Sequence, residues 1–239
     1  MDIYKISTPE ELIRGNSYVG RGIVIGQTPD GSKAVTAYFI MGRSENSRNR
    51  VFALSDGVLY TKPFDESKVK DPSLIIYAAL RQYKNKLIVT NGDQTDTVWQ
   101  GLQQGVSFHD SLKTRCFEPD APNLTPRISG MISFSGSGFT YEMSILKSAD
   151  PAGTACNRYL FDYSPLPGLG HFLHTYVCDG NPIPTFQGEP ERMAMTDDID
   201  VFTASLWDSL DADNKISLYV RYTDPVTGDY EDRLLNKNQ

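Results

Sequence analysis

Tight turns between segments rich in β-branched and aromatic residues constrain this chain more than any other feature. Ser55-Asp56-Gly57 separates Arg50 to Leu54 from Val58 to Thr61, and Gly136-Ser137-Gly138 follows Arg127 to Phe134 and precedes Phe139 to Leu146. Connections this short join only antiparallel neighbours, because a parallel crossover needs roughly a dozen residues, and Gly supplies the positive φ of a hairpin turn. Further strand-like segments lie at Tyr18 to Ile25, Val35 to Met41, Lys86 to Thr90, Arg158 to Tyr163, His171 to Cys178 and Ile216 to Tyr222.

Helices are fewer. Asp71-Pro72 reads as a helix start, since Asp accepts orphan amide hydrogens at the cap and Pro fits the first helical position, and this predicts a helix over Ser73 to Tyr83. A second helix is expected from Gln94, directly after the turn Asn91-Gly92-Asp93, with shorter ones at Phe108 to Thr114 and Val201 to Leu210. Antiparallel strands covered by a few helices make an α+β domain. The chain has 239 residues and no internal repeat or long linker, so a single domain over 1–239 is expected, with the Pro- and Gly-rich stretch Pro165 to Pro190 as a loop system inside it.

A hydrophobic share of 39% against 22% charged residues supports a real core and excludes wholesale disorder. The longest apolar run, Leu74 to Leu80, falls far short of the roughly 20 residues that cross a bilayer. The amino terminus lacks the basic start and apolar stretch of a signal peptide, so the cytoplasm is the expected location. Three widely spaced cysteines, Cys116, Cys156 and Cys178, suggest neither a disulfide framework nor a zinc site, which leaves buried or idle thiols. A net charge of -7 argues against nucleic acid as a partner, since that affinity comes from clustered Lys and Arg. One local exception is Arg43-Ser44-Glu45-Asn46-Ser47-Arg48-Asn49-Arg50, whose three arginines suffice for a phosphate monoester or else belong to a solvated loop.

His171 and His174 stand three apart on a strand-like segment, where side chains point to opposite faces, so a metal chelate is not expected. Ser135-Gly136-Ser137-Gly138 lacks the Lys of a phosphate loop, and no Gly-x-Ser-x-Gly elbow is present. Asn91-Gly92-Asp93-Gln94-Thr95-Asp96-Thr97 presents free backbone amides where a strand opens into a helix. Asp93 and Asp96 would repel a phosphate there, so ligand hydroxyl or amide groups fit better; a plain helix cap by Asp93 is the other reading. Glu118, between Phe117 and Pro119, is a candidate for a raised pKa or a merely exposed carboxylate.

Taken in order, Tyr18-Val19-Gly20-Arg21-Gly22, Met41-Gly42-Arg43-Ser44 with Asn49-Arg50, Asp71-Pro72 with Tyr77, the Asn91 to Thr97 string, and Glu118 followed by Thr125-Pro126-Arg127-Ile128 resemble the archaeal-type IMP cyclohydrolase family. The resemblance covers roughly residues 18 to 135 and weakens in the carboxy-terminal half, which looks more like a bacterial branch. It implies a four-layer αββα sandwich of antiparallel sheets like that of the N-terminal nucleophile hydrolases. It also implies dehydrative closure of 5-formamidoimidazole-4-carboxamide ribotide to inosine monophosphate, with no cofactor and no metal. The family positions carry over to Arg50, Tyr77 and Glu118 as catalytic residues. Arg21, Arg43, Asn91, Asp93, Asp96 and Arg127 are then the substrate-binding candidates. A small purine ribonucleotide is the implied partner, without nucleic acid or membrane, and the relatives suggest a homo-oligomer. A purine-nucleotide binding protein without turnover, or an amide hydrolase of the same fold, are the alternatives.

Overall fold

The expected turns do join antiparallel neighbours: Ser55 pairs with Val58 across one, and Phe134 with Phe139 across the other. A computed structural model describes residues 2–69 and 76–238. After helix α1 (Pro9–Ile13) come strands β1 (Arg21–Gln27) and β2 (Ala34–Met41), helix α2 (Glu45–Arg48), and strands β3 (Arg50–Ser55), β4 (Val58–Pro63), β5 (Tyr77–Tyr83) and β6 (Lys86–Thr90). Helices α3 (Gln94–Gln103) and α4 (Phe108–Leu112) follow, then strands β7 (Arg127–Phe134), β8 (Phe139–Ser148), β9 (Cys156–Tyr163), β10 (Leu169–His174) and β11 (Glu191–Ala194). Helix α5 (Ile199–Ser209) and strands β12 (Lys215–Thr223) and β13 (Tyr230–Asn236) complete the order.

The strands form two antiparallel sheets, one of six in the order β11-β10-β1-β2-β12-β13 and one of seven in the order β3-β4-β5-β6-β7-β8-β9. Strand alternation explains how they pack. Ile23, Ile25, Tyr38 and Ile40 of the six-stranded sheet share a buried cluster with Leu80, Val89, Ile128 and Ile132 of the other. The alternate residues Val24, Phe39 and Met41 face the opposite way and pack with Ile13 of α1 and Phe202 and Leu206 of α5. On the outer side of the seven-stranded sheet, Ile88 and Met131 pack with Val98, Phe108 and Leu112 from α3 and α4. Strand β2 is buried along its whole length because both its faces are covered. Each fully buried Ile, Leu or Phe contributes about 1.5–3 kcal/mol. No helix among the described residues is long and apolar enough to cross a membrane.

The expected helix over Ser73 to Tyr83 is corrected: Tyr77–Tyr83 is strand β5, paired with β4 on one side and β6 on the other. Its start at Asp71-Pro72 lies outside the described residues. Two flanking ladders and a buried run from Tyr77 to Leu80 outweigh the helix propensity of Ala and Leu. Strand β10 ends at His174, short of Cys178, and the Pro165 to Pro190 loop system therefore contains one strand. Strands β11 and β13 escaped the sequence because they are the edges of their sheet and carry Glu, Asp and Arg instead of an alternating apolar pattern. The cysteines are free, but Cys116 and Cys178 are exposed, not buried.

Strand β1 begins later than Tyr18 because Gly20 has a φ of +80°. A Cβ there would stand 2.1 Å from Thr175 Oγ1 and 2.6 Å from the Tyr176 ring. Gly20→Ala should therefore cost about 1–3 kcal/mol from overpacking alone, read as a fall in Tm of several degrees by scanning calorimetry. An unchanged Tm would show that this crossing has room to spare.

Candidate active site

Antiparallel register brings the family-like residues to one end of both sheets. Arg21 opens β1 and pairs with Ile40 near the end of β2. Arg50 opens β3 opposite Pro63, and Tyr77 opens β5 opposite Thr61 of the same neighbouring strand. Thr90, at the end of β6, faces Ser129 near the start of β7, and Glu118 lies in the loop that leads into β7. Strand ends are where backbone stops pairing with backbone, so side chains there are free to face a ligand.

A cavity of about 350 Å³ opens at this end, lined by the arginines Arg21, Arg43 and Arg50, the hydroxyl residues Ser44, Ser47 and Thr125, and the rings of Tyr18 and Tyr176. Arg50 is 2% exposed, and its Nε and Nη2 donate to the carbonyls of Ser47 and Met41 at 2.7 and 3.3 Å. Burial, and then the like charge of Arg21, push the Arg50 guanidinium below its ordinary value. Arg21 keeps part of its surface open, yet its Nε is buried without a hydrogen-bond partner among the described residues. Burial lowers its pKa, but the Glu118 carboxylate and the neighbouring tyrosines outweigh that effect and hold the guanidinium firmly charged.

Across the sheets, the Tyr38 and Tyr77 hydroxyls meet at 2.8 Å. Burial, followed by the Tyr77 neighbour, raises the Tyr38 phenol well above its usual range. Glu118 is 4% exposed and its carboxyl is raised, first by burial; Arg21, Arg127 and Arg50 oppose the rise, and Asp120 adds to it. Its backbone N–H donates to the Thr125 carbonyl at 2.8 Å, which fixes the loop. The Thr125 hydroxyl in turn meets Tyr176 OH at 2.5 Å and the Asp120 carboxylate. Burial pushes the Tyr176 phenol up to about 12 although Arg21 and the Thr125 contact pull it down.

Most of the remaining expected site residues occupy other places. Arg43 lies at the cavity, but it pairs with the Asp179 carboxylate, donates to the Gly180 carbonyl at 2.8 Å and sits 5.2 Å over the Tyr18 ring. Asn91 is 1% exposed: its Nδ2 donates to Pro126 O at 2.9 Å, and its Oδ1 accepts from Ile128 N and Gln94 Nε2, each at 2.9 Å. Arg127 Nη1 lies 2.7 Å from both Gln94 Oε1 and Asp93 Oδ1, and Asp93 also pairs with Arg115. Asp93 stands at the amino end of α3 without a side-chain capping bond, so the plain-cap reading is corrected. Asp96 accepts from Arg81 at 2.6 Å, and Arg81 stacks 3.7 Å over Trp99.

Asn91, Asp93, Asp96 and Arg127 thus do not line the cavity, and neither do Tyr77 and Glu118, which act on it through their electrostatic coupling to Arg21. A Cβ at Gly92 would stand 2.5 Å from Arg127 Nη1 and 3.6 Å from Glu118 Oε1, which places the Gly92 turn directly behind the carboxylate. The sequence reading missed Tyr38, Asp120 and Tyr176. Tyr18 and Thr125 stood inside the quoted motifs, but Tyr38 looks like any aromatic residue of a buried strand. No group of three or more His, Cys, Asp or Glu among the described residues could hold a metal ion. His171 and His174 do point apart: Tyr141 OH meets His171 Nδ1 at 2.6 Å, and His174 Nε2 lies 3.2 Å from Glu191.

A family model described as "IMP cyclohydrolase-like protein" matches residues 18–229. The IMP cyclohydrolase of Methanopyrus kandleri is 32% identical over 183 residues, 71% of this chain and 89% of the relative. That of Methanosphaera stadtmanae is 32% identical over 143 residues, covering 56% of this chain and 69% of the relative. That of Methanococcus aeolicus is 26% identical over 166 residues, covering 67% and 75%.

Proposed function

The chain belongs to the IMP cyclohydrolase-like family, and from that premise we infer that it is an IMP cyclohydrolase, closing 5-formamidoimidazole-4-carboxamide ribotide to inosine monophosphate. The observation that carries the reading is that Arg21 and Arg50, which line the cavity, are electrostatically coupled to groups outside its lining: the buried Glu118 carboxyl and the Tyr38–Tyr77 phenol pair. The two sheets with helices on their outer faces support a four-layer αββα sandwich of the N-terminal nucleophile hydrolase type.

In the reaction the carboxamide nitrogen attacks the formyl carbon, and the formyl oxygen leaves as water. Its two protons come from the carboxamide nitrogen on attack and from the formamide N–H on elimination. An amide nitrogen is a poor nucleophile, so a proton acceptor and stabilisation of the developing oxygen charge are required, while the shared imidazole ring already supplies proximity. Glu118 accepts the first proton and returns it to the departing oxygen. Its raised pKa suits both halves of that task. Either hydroxyl of the Tyr38–Tyr77 pair can donate to the other; the mechanism takes Tyr38 as donor, which leaves the Tyr77 proton to hydrogen-bond the formyl oxygen. Arg50, with Ser44 and Ser47 nearby, holds the phosphate, and Arg21 sets the charge around Glu118. Arg127 and Asp93 support the Glu118 carboxylate from behind, Asn91 ties β6 to the approach of β7, and Asp96 braces α3 through Arg81. Arg43 holds the rim through Asp179 and reaches the nucleotide only by sharing that contact.

Ultraviolet monitoring of the purified protein with the formylated ribotide tests the function. Product formation is expected; product binding without turnover would make the chain a nucleotide-binding protein instead. Chelator should leave the rate unchanged, and a loss restored by zinc or magnesium would defeat a mechanism run by protein groups alone.

Arg21 opposes the rise in the Glu118 pKa. Arg21→Met should accordingly move the acid limb of the kcat profile to higher pH, because Glu118 must be ionised to accept a proton. A limb that stays in place would separate Arg21 from the proton acceptor.

A further inference from the structure

Strand β9 is the free edge of the seven-stranded sheet, and residues 157–160 are exposed along it, including Tyr159 and Leu160. Proteins usually blunt such an edge with Pro, Lys or a bulge. Cys156-Asn157-Arg158-Tyr159-Leu160-Phe161-Asp162-Tyr163 contains no Pro or Lys, and its register with β8 is unbroken. The backbone direction follows from one bond: Ala149 N donates to Ala155 O at 2.9 Å, one step beyond the Ser148–Cys156 pair. Ala155 therefore points its polar groups at β8. Alternation then turns the N–H and C=O of Arg158, Leu160 and Asp162 outward.

The charges on this edge are arranged symmetrically. Arg158 and Asp162 stand at equal distances on either side of Leu160 and on the same face of the strand. Arg158 donates to the carbonyls of Cys156 and Arg115, at 3.2 and 2.8 Å, and no acidic side chain among the described residues pairs with it. Asp162 lies directly opposite Glu142 of β8, a like-charge pair that disfavours the isolated sheet. Burial and then Asp162 raise the Glu142 carboxyl, in keeping with that proximity.

We infer that β9 pairs antiparallel with β9 of a second copy of this chain about a two-fold axis at Leu160, joining two seven-stranded sheets into one. In that register Arg158 faces Asp162 of the other copy, twice by symmetry, and Tyr159 faces Phe161 on the inner surface. The outward backbone groups of Arg158, Leu160 and Asp162 satisfy one another across the axis. Arg158 of the second copy also offsets the repulsion between Asp162 and Glu142.

Sedimentation of the full chain over a concentration series tests the pairing. The wild type should form a dimer or an even multiple of it. Arg158→Asp and Asp162→Arg each place like charges opposite one another twice, and each should weaken self-association about tenfold or more. The double variant restores the opposite pairs and should recover association. Hydrogen exchange on the wild type supplies a second reading that needs no variant: the amides of Arg158, Leu160 and Asp162 should be protected in proportion to the associated fraction. A wild type that stays monomeric, an assembly in which those amides exchange freely, or a folded double variant that remains as weak as the single ones would overturn the inference.

Discussion

Glu118→Gln should lower kcat by about 10²- to 10⁴-fold, the usual contribution of a positioned general acid or base, while the affinity for inosine monophosphate stays close to that of the wild type. Gln keeps the size and much of the hydrogen bonding of Glu but cannot accept the carboxamide proton. The acid limb of the wild-type profile should disappear in the variant. Stability should move the other way. Burial raises the folded-state pKa of Glu118 above the ordinary carboxyl value. A raised carboxyl favours the folded state at pH below the unfolded pKa, and that contribution is lost as pH climbs through the folded value. At neutral pH the wild type therefore bears the cost of an ionised buried carboxylate that Gln avoids, and the variant should melt no lower. The gap should close as pH falls through the window between the two pKa values. If turnover survives the substitution, the proton travels by another group, with Tyr77 the next candidate; if binding is lost with turnover kept, Glu118 only positions the substrate.

Arg50→Ala should weaken binding of inosine monophosphate by roughly 10- to 150-fold, from about 1.5–3 kcal/mol per charged hydrogen bond at 1.4 kcal/mol per tenfold. Arg50 is almost fully buried, has only backbone carbonyls as side-chain hydrogen-bond partners among the described residues and shares the cavity with a second guanidinium, so an incoming dianion gains an interaction that solvent does not match. Inosine, which lacks the phosphate, should lose far less. Titration calorimetry of both ligands reads the difference directly. Equal losses would move Arg50 from the phosphate to the base, and Arg21, whose Nε has no partner among the described residues, would take its place.

The sequence by itself determined the antiparallel character of the chain, because turns of two or three residues with Gly leave no other way to connect strands such as β3 with β4. It determined α3 through the strand, Gly turn and helix order around Gln94, and it marked Arg50, Tyr77 and Glu118 through short motifs whose order matches a known family. Tertiary structure decided the rest. Tyr77 to Tyr83 carries helix formers, yet two neighbouring strands claim its backbone, and no local propensity encodes that competition. β11 and β13 are polar because an edge strand needs little burial, so their sequence resembles loops. Tyr38 enters the site only because the two sheets face each other and bring its hydroxyl to Tyr77, a contact between residues 39 positions apart. Asn91, Asp93 and Arg127 belong to the same motifs, but Arg127 pairs with Asp93 and Gln94, and Asn91 bonds to Gln94 and to the backbone of Pro126 and Ile128. Residue type and spacing can report that a polar group is present; whether it faces a ligand or a neighbouring side chain depends on which partners the folded sheets bring within about 3 Å.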